Sequence, residues 1–252
     1  MRQVAITKSL KILQASAFYK GLEKISLWCL PYVCALCGCE SDNQRDLCSS
    51  CEASLPTLVN RCAVCALPLI EEKEAIFCLD CQDCPPIYDR ICGLFSYESP
   101  LPSLISALKF HHQLAYARLL GELMAERAVD DWCKNQARPQ VLIPVPLYEK
   151  RLRQRGYNQA LELARPIGRR LGLDIDHQSC QRIRATKAQS SLVSHQRKQN
   201  LRSAFALSRP VAYQHVAIID DVVTTGSTVR ALSEALKAQG VEYIEVWCVC
   251  RT

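Results

Sequence analysis

Four C-x-x-C pairs, Cys34/Cys37, Cys48/Cys51, Cys62/Cys65 and Cys78/Cys81, follow one another in the first third of the chain and constrain its folding more than any other feature. A two-residue gap lets one tight turn offer two sulfurs to one ion, and tetrahedral zinc needs four thiolates converging on a point. Eight such cysteines make two closed sites. The simplest assignment is sequential, the first four on one zinc and the last four on the other; an interleaved pairing is sterically allowed too. Cys81/Cys84 competes as a C-x-x-C pair, but Cys78/Cys81 leaves Cys84 against Pro85 and Pro86, where the chain leaves the module. Four thiolates leave no position for water, so the expected role of zinc is structural. Repeated spaced pairs also argue for metal ribbons over a redox dithiol.

The cysteines are unevenly spread: 12 of the 16 lie between Cys29 and Cys92. That asymmetry predicts domains stabilised by different means. In a secreted chain the same cysteines would suggest disulfides. Residues 1–28, however, are interrupted by Lys8, Lys11, Lys20 and Lys24, which leaves no apolar export core. Nothing elsewhere approaches the roughly 20 apolar residues of a membrane span. A reducing cytoplasm, metal-bound thiolates and no membrane insertion are therefore expected. Residues 1–28 read as an amphipathic helical segment with Ile6, Leu10, Leu13, Phe18, Leu22 and Ile25 on one stripe, packing on the body rather than anchoring it. Residues 29–86 read as a double zinc ribbon and 87–252 as a globular domain.

Within that domain, strand-like and helix-like stretches alternate. Ile91 to Tyr97 and the proline-bounded VLIPVP read as strands, Leu101 to Val129 as one helical stretch, and Asp130 to Arg138 as a polar connection. Asn158 to Leu171 is helical in period, with a kink expected at Pro166 and Gly172 as its stop. Residues 180–203 read as a long exposed basic loop. His215 to Val223 is the strongest buried strand, Ser227 to Ala238 a helix, and Tyr243 to Cys250 a last strand. The alternation predicts an α/β fold with a parallel, doubly wound sheet, whose ligands bind beyond the carboxyl ends of the strands.

The segment VAIIDDVVTTGST, residues 216–228, concentrates the chemistry. An apolar strand leads to Asp220 and Asp221, and TTGST then turns into a helix. Gly226 permits the tight turn, the small hydroxyl residues Thr224, Thr225, Ser227 and Thr228 leave backbone N–H groups free, and a helix N-terminus favours a phosphate. The acids would repel that phosphate but suit the vicinal hydroxyls of a ribose beside it. An apolar strand with two acids also occurs in ATPases, but the chain has no G-x-x-x-x-G-K-[ST] companion and no G-x-G-x-x-G fingerprint. The net charge of +6 is modest, yet Arg151, Arg153 and Arg155 cluster, as do Arg182, Arg184, Lys187, Arg197, Lys198 and Arg202. Both clusters suit a polyanion, either a pyrophosphate or a nucleic-acid backbone.

The segment closely resembles the phosphoribosyl pyrophosphate (PRPP) motif of type I phosphoribosyltransferases. Together with the cysteine module, and with the stretches LIPVPLYEKRLRQRGYNQALELAR, RATKAQSSLVSHQRKQNLRSAF and SYESPLPSLISALKF, it resembles the ComF family of competence-associated proteins. The resemblance covers the chain from Cys34 onward. It implies a type I phosphoribosyltransferase fold, PRPP bound with Mg²⁺, and transfer of a phosphoribosyl group. Asp220 and Asp221 would hold the ribose hydroxyls, residues 224–228 the 5-phosphate, Arg151, Arg153 and Arg155 the pyrophosphate. Arg184, Lys187 or Arg197 on a closing loop would stabilise the departing pyrophosphate. No signature of a purine, pyrimidine or amine acceptor is visible, and there is no N-terminal cysteine for glutamine-dependent chemistry. The resemblance also implies a role in DNA uptake, through which single-stranded DNA or an uptake helicase becomes a candidate partner. A non-catalytic accessory role in that process is the alternative reading. The aromatics near the ribbons, Trp28, Tyr32 and Phe77, are too few to argue for base stacking.

Overall fold

A computed structural model describes residues 32–69, 76–135, 138–184 and 204–252. The reading of residues 1–28 as amphipathic helix lies outside them, as do Cys29, Lys187 and Arg197. The chain divides into two compact units, one ending at Ser54 and one beginning at Leu55. The cysteine-rich stretch is thus shared between them.

The larger unit is built on five parallel strands in the order β1-β7-β6-β2-β3: β1 Arg90–Ser96, β2 Val141–Pro144, β3 Asp174–Ile175, β6 His215–Val223 and β7 Tyr243–Arg251. A parallel sheet is covered on both faces, so its strands are apolar almost throughout. In β6 and β7 nearly every residue is buried, and Ile218, Ile219, Val246 and Val249 are wholly so. A separate antiparallel pair joins β4 Cys180–Arg182 to β5 Phe205–Leu207. The edge strand β1 does not face water with open backbone groups. Leu58 N–H donates to Leu94 O (3.0 Å), Ser96 N–H to Pro56 O (2.9 Å) and Ile91 N–H to Val64 O (2.7 Å), so the segment leading into the second cysteine cluster covers the edge.

Among the described residues the helices of this unit are α2 Leu79–Asp83, α3 Leu101–Phe110, α4 Leu114–Asn135, α5 Glu149–Arg155, α6 Gln159–Leu171 and α7 Ser227–Lys237; α1, Ser49–Ala53, lies in the smaller unit. The helical stretch expected over 101–129 is two helices, separated where His112 takes a left-handed backbone (φ 55°). α4 then runs on to Asn135, so the polar run from Asp130 marks the end of a helix rather than a connection. The expected basic loop likewise begins later than residue 180: Cys180 is buried and starts β4, because a three-residue strand is too short to show a period.

α6 continues through Pro166 and ends at Gly172 in the left-handed region, with Asn158 capping its start through a bond from Ala160 N–H (3.1 Å). Pro166 meets α4 at Gly121. A Cβ on Gly121 would lie 2.4 Å from Pro166 Cγ and 2.7 Å from Leu163 O, so the two helices approach as only glycine allows. Gly121→Ala is expected to force them apart and destabilise the larger unit by about 1–3 kcal/mol, read as a lower midpoint in urea denaturation followed by far-UV circular dichroism.

Candidate functional site

β2 ends at Pro144, opposite Ile219, whereas β7 accompanies β6 as far as Val223. From Asp220 onward β6 therefore has a strand on one side only among the described residues. The other side opens into a cavity of about 570 Å³ with Asp220 and Asp221 in its lining. Both are nearly out of water, 8% and 3% exposed.

Asp221 accepts from two elements. Lys109, in the last turn of α3, forms an ion pair with Oδ2, and Gln159 Nε2, at the start of α6, donates to Oδ1 (3.4 Å). Gln159 in turn accepts through Oε1 from Arg155, the last residue of α5, whose guanidinium lies 5.4 Å over the Phe110 ring. Asp220 Oδ1 accepts the Asp221 N–H (2.9 Å). Burial, then the neighbouring negative Asp221, pushes the Asp220 carboxyl well above its ordinary range, with Lys109 opposing in part.

Arg151 and Arg182 complete the cationic lining with Lys109 and Arg155. Burial holds Arg182 below its ordinary range and Arg151 adds to that, while Asp220 opposes. Arg153 turns away to an exposed ion pair with Glu149. Arg184 is exposed and is not in the lining, whereas Arg182, two residues earlier on β4, is. Sequence reasoning gave Lys109 and Gln159 no role at this site, and named Arg182 only as one member of a basic cluster suited to a polyanion. Lys109 stands in the quoted stretch SYESPLPSLISALKF, but only the folded chain brings it to Asp221.

At the end of β6 the TTGST turn forms a small cup of about 40 Å³, lined by Asp220, Thr224, Gly226, Ser227 and Thr228 among others. Gly226 has φ 71° and caps α7, an 11-residue helix. Thr224 and Thr225 are exposed, and the Thr225 hydroxyl donates to Ser227 Oγ (3.1 Å). A helix N-terminus at the base, two acids beside it, Lys109 on one of them and three arginines in the same lining can hold a molecule with a phosphate at one end, a diol in the middle and a second polyanionic group.

The cysteines gather in sequential sets. The sulfurs of Cys34, Cys37, Cys48 and Cys51 all lie within 4.8 Å of one another, and so do those of Cys62, Cys65, Cys78 and Cys81. Cys37 and Cys48 sulfurs are 3.8 Å apart, and Cys65 and Cys78 sulfurs 3.5 Å. Zinc–sulfur bonds of about 2.3 Å place tetrahedral ligands about 3.8 Å apart, so each set could hold such an ion. In each set the backbone favours one thiolate, while Cys51, Cys65 and Cys81 are shifted upward, Cys51 chiefly by its sulfur neighbours and the other two chiefly by burial. Burial pushes the Cys34 thiol up, but hydrogen bonds from the backbone of Cys48, Cys37 and Leu36 outweigh it and bring it down to about 6. Cys62 is brought down to about 7 in the same way by Cys65, Cys78 and Val64. Cys39 and Cys84 are exposed and belong to neither set, and Cys92 is buried in β1.

The direction at Asp220 makes a stability prediction. A carboxyl whose pKa rises on folding adds stability that is full below its unfolded value, about 3.9, and that is lost as pH climbs through the folded value. Asp220→Asn keeps the acceptor for Asp221 N–H and removes the buried charge. We expect the variant to unfold at a higher temperature than the parent at neutral pH, with the difference shrinking to nothing as pH falls towards about 4, in a series of calorimetric scans.

Comparison with known proteins follows the geometry. The phosphoribosyl transferase domain model matches residues 157–252, from the start of α6 through β7. The chain is 36% identical over 230 residues to the DNA utilization protein YhgH of Salmonella typhimurium, covering 88% of this chain and 98% of the relative. It is 35% identical over 212 residues to competence protein F of Haemophilus influenzae, covering 82% and 91%. Competence protein ComFC of Streptococcus pneumoniae is 20% identical over 211 residues, covering 81% and 87%. Similarity at this level along nearly the full length of two such relatives, with the phosphoribosyl transferase domain beneath it, means that the chain belongs to the ComF family.

Proposed function

We propose that the protein binds PRPP with Mg²⁺ in the cavity at the end of β6 and transfers its phosphoribosyl group to an acceptor, in a process that handles incoming DNA. One observation carries the reading: the acid pair and the TTGST turn share a single strand-to-helix connection, Lys109 pairs with Asp221, and Arg151, Arg155 and Arg182 line the same cavity. In this reading the turn holds the 5-phosphate through backbone N–H groups and hydroxyls. Asp220 and Asp221 accept from the ribose 2- and 3-hydroxyls. The three arginines Arg151, Arg155 and Arg182 meet the pyrophosphate, with Arg182 on β4 adding to the part the sequence assigns to Arg184 and Lys187.

In the transfer, the bond between the anomeric carbon and the pyrophosphate oxygen breaks, its electron pair leaving with pyrophosphate. A lone pair of the acceptor forms the new bond at that carbon, and the acceptor loses its proton. Negative charge grows on the leaving group, so cations already in position lower the barrier more than cations that must be recruited. When bound, Mg²⁺ supplies further charge at the pyrophosphate. Lys109 and Gln159 hold Asp221 in place for the ribose, and the Asp221 N–H does the same for Asp220.

Zinc in a structural role suits both four-cysteine sets, since soft thiolates with no open ligand position favour it. A cytoplasmic setting would keep those thiols reduced. No helix among the described residues is long and apolar enough to cross a membrane. The DNA link rests on the relatives named for DNA utilization and competence. The cationic lining favours one second reading, in which the polyanion is single-stranded DNA and the protein is an accessory of an uptake helicase.

Calorimetric titration of PRPP with Mg²⁺ into the zinc-loaded protein tests the first reading. Binding is expected, and Asp220→Asn/Asp221→Asn should weaken it by at least about 100-fold, because each hydrogen bond to a charged group contributes about 1.5–3 kcal/mol. A folded parent that does not bind PRPP overturns the proposal. DNA binding that falls steeply with salt and survives the double substitution would favour the second reading.

A further inference from the structure

We propose that Arg251 makes the second four-cysteine centre and the phosphate turn one coupled unit, so that metal in the centre tightens the hold on a 5-phosphate. This rests on the reading of the TTGST turn as a phosphate site. Arg251 is the last residue of β7, and its side chain is buried. Its Nε donates to the backbone oxygen of Cys65 (2.8 Å), a residue of the second centre. Its Nη1 donates to the backbone oxygens of Val223 (3.2 Å) and Thr224, where β6 gives way to the turn. A guanidinium is rigid and planar, so the positions of these oxygens are tied to one another.

The consequence for the turn follows from peptide geometry. In a trans peptide the C=O and the following N–H point in opposite directions. Arg251 draws the Val223 and Thr224 oxygens towards itself, so the N–H groups of Thr224 and Thr225 point away from it. These are the residues that would meet the phosphate. At the other end, the Cys65 oxygen is set by the knuckle: Ala66 N–H donates to Cys62 O (3.0 Å) and Cys62 N–H to Leu67 O (2.9 Å), a fold that four thiolates stabilise when they share an ion.

A second contact runs beside the first. Tyr88 is buried in the core cluster that also holds Ala66, Val223 and Val229, and its hydroxyl lies 3.5 Å from where a Cβ on Gly226 would stand. Val64 packs against both that core and the cysteine cluster. The second centre thus reaches the strand exit through Arg251 and the turn's glycine through Tyr88.

Coupling between sites is reciprocal in binding free energy, so a ligand of the turn must tighten the hold of the centre on its metal, and the proposal places that gain in slower metal loss. The experiment uses the full zinc-loaded chain, with zinc release to a chromophoric chelator followed in the presence and absence of ribose 5-phosphate. One release phase should slow by about tenfold, within the range usual for coupled sites. Cys37→Ser, in the first centre, should remove the other phase. Arg251→Met and Arg251→Lys should keep both zinc ions and the parent circular dichroism spectrum but lose the slowing, since neither side chain can span the Cys65 and Thr224 oxygens. If calorimetry shows no binding of ribose 5-phosphate to the parent, the phosphate site itself fails. If it binds and neither phase changes, or the slowed phase belongs to the first centre, the coupling is overturned while the phosphate site stands. Slowing that persists in Arg251→Lys would overturn the role of Arg251, and the parent measurement decides the coupling even if Arg251→Met does not fold.

Discussion

Two consecutive carboxylates carried almost out of water by one strand make a demand that the rest of the larger unit has to meet. Removing a charged carboxylate from solvent costs several kcal/mol unless other groups compensate. The Asp221 N–H serves Asp220, and Lys109 pairs with Asp221 while it also eases the burial of Asp220. The fold answers with element ends. Lys109 stands in the last turn of α3 and Arg155 at the last position of α5, where helix dipoles favour cations, and Gln159 opens α6. Each of these ends is directed at the space left where β2 stops and β6 continues.

The same sheet holds a third buried acid, and the contrast separates function from architecture. Glu245, in β7, is fully buried. It accepts from Arg90 Nη2 (2.9 Å) and Trp247 Nε1 (2.7 Å), with His215 Nε2 at 3.4 Å. Burial pushes its carboxyl up, yet the His215 hydrogen bond, Arg90 and Trp247 outweigh it and hold the group below its ordinary range. Asp220 is moved the other way. Glu245 is satisfied by its own protein at the amino end of the sheet. Asp220, at the carboxyl end where such sheets bind ligands, is left with a need that an incoming hydroxyl donor can meet.

These two acids also show what could be read from the chain alone. Asp220, Asp221 and TTGST are adjacent in sequence, so their shared geometry follows from one strand, one turn and one helix start. Their partners come from four other elements, α3, α5, α6 and β4, and only the arginines stand in clusters that the chain itself displays. Lys109 lies at the end of a helix whose apolar stripe dominates its pattern, and Arg182 sits in a strand of three residues. The parallel sheet was legible because buried strands are apolar at every position. The break at His112 was not, since apolar residues continue in helical period on both sides of it. Nor was the extension of α4 past Asp130, where a polar sequence suits a helix end and a loop equally.

The two cysteine knuckles carry the argument one step further. In each, the residue after the second cysteine takes a left-handed backbone: Gly38 with φ 75° and Ala66 with φ 55°. Glycine adopts that conformation freely, whereas a residue with a Cβ gives up about 1–2 kcal/mol. Space around Gly38 is open, so nothing there would reward a side chain. Ala66 is wholly buried, and its methyl fills the core cluster beside Tyr88 and Leu58. A residue that disobeys its local preference marks where tertiary packing has taken over from the turn. In this protein that place is the peptide joining Cys65 to Ala66, and its oxygen is the one that Arg251 holds.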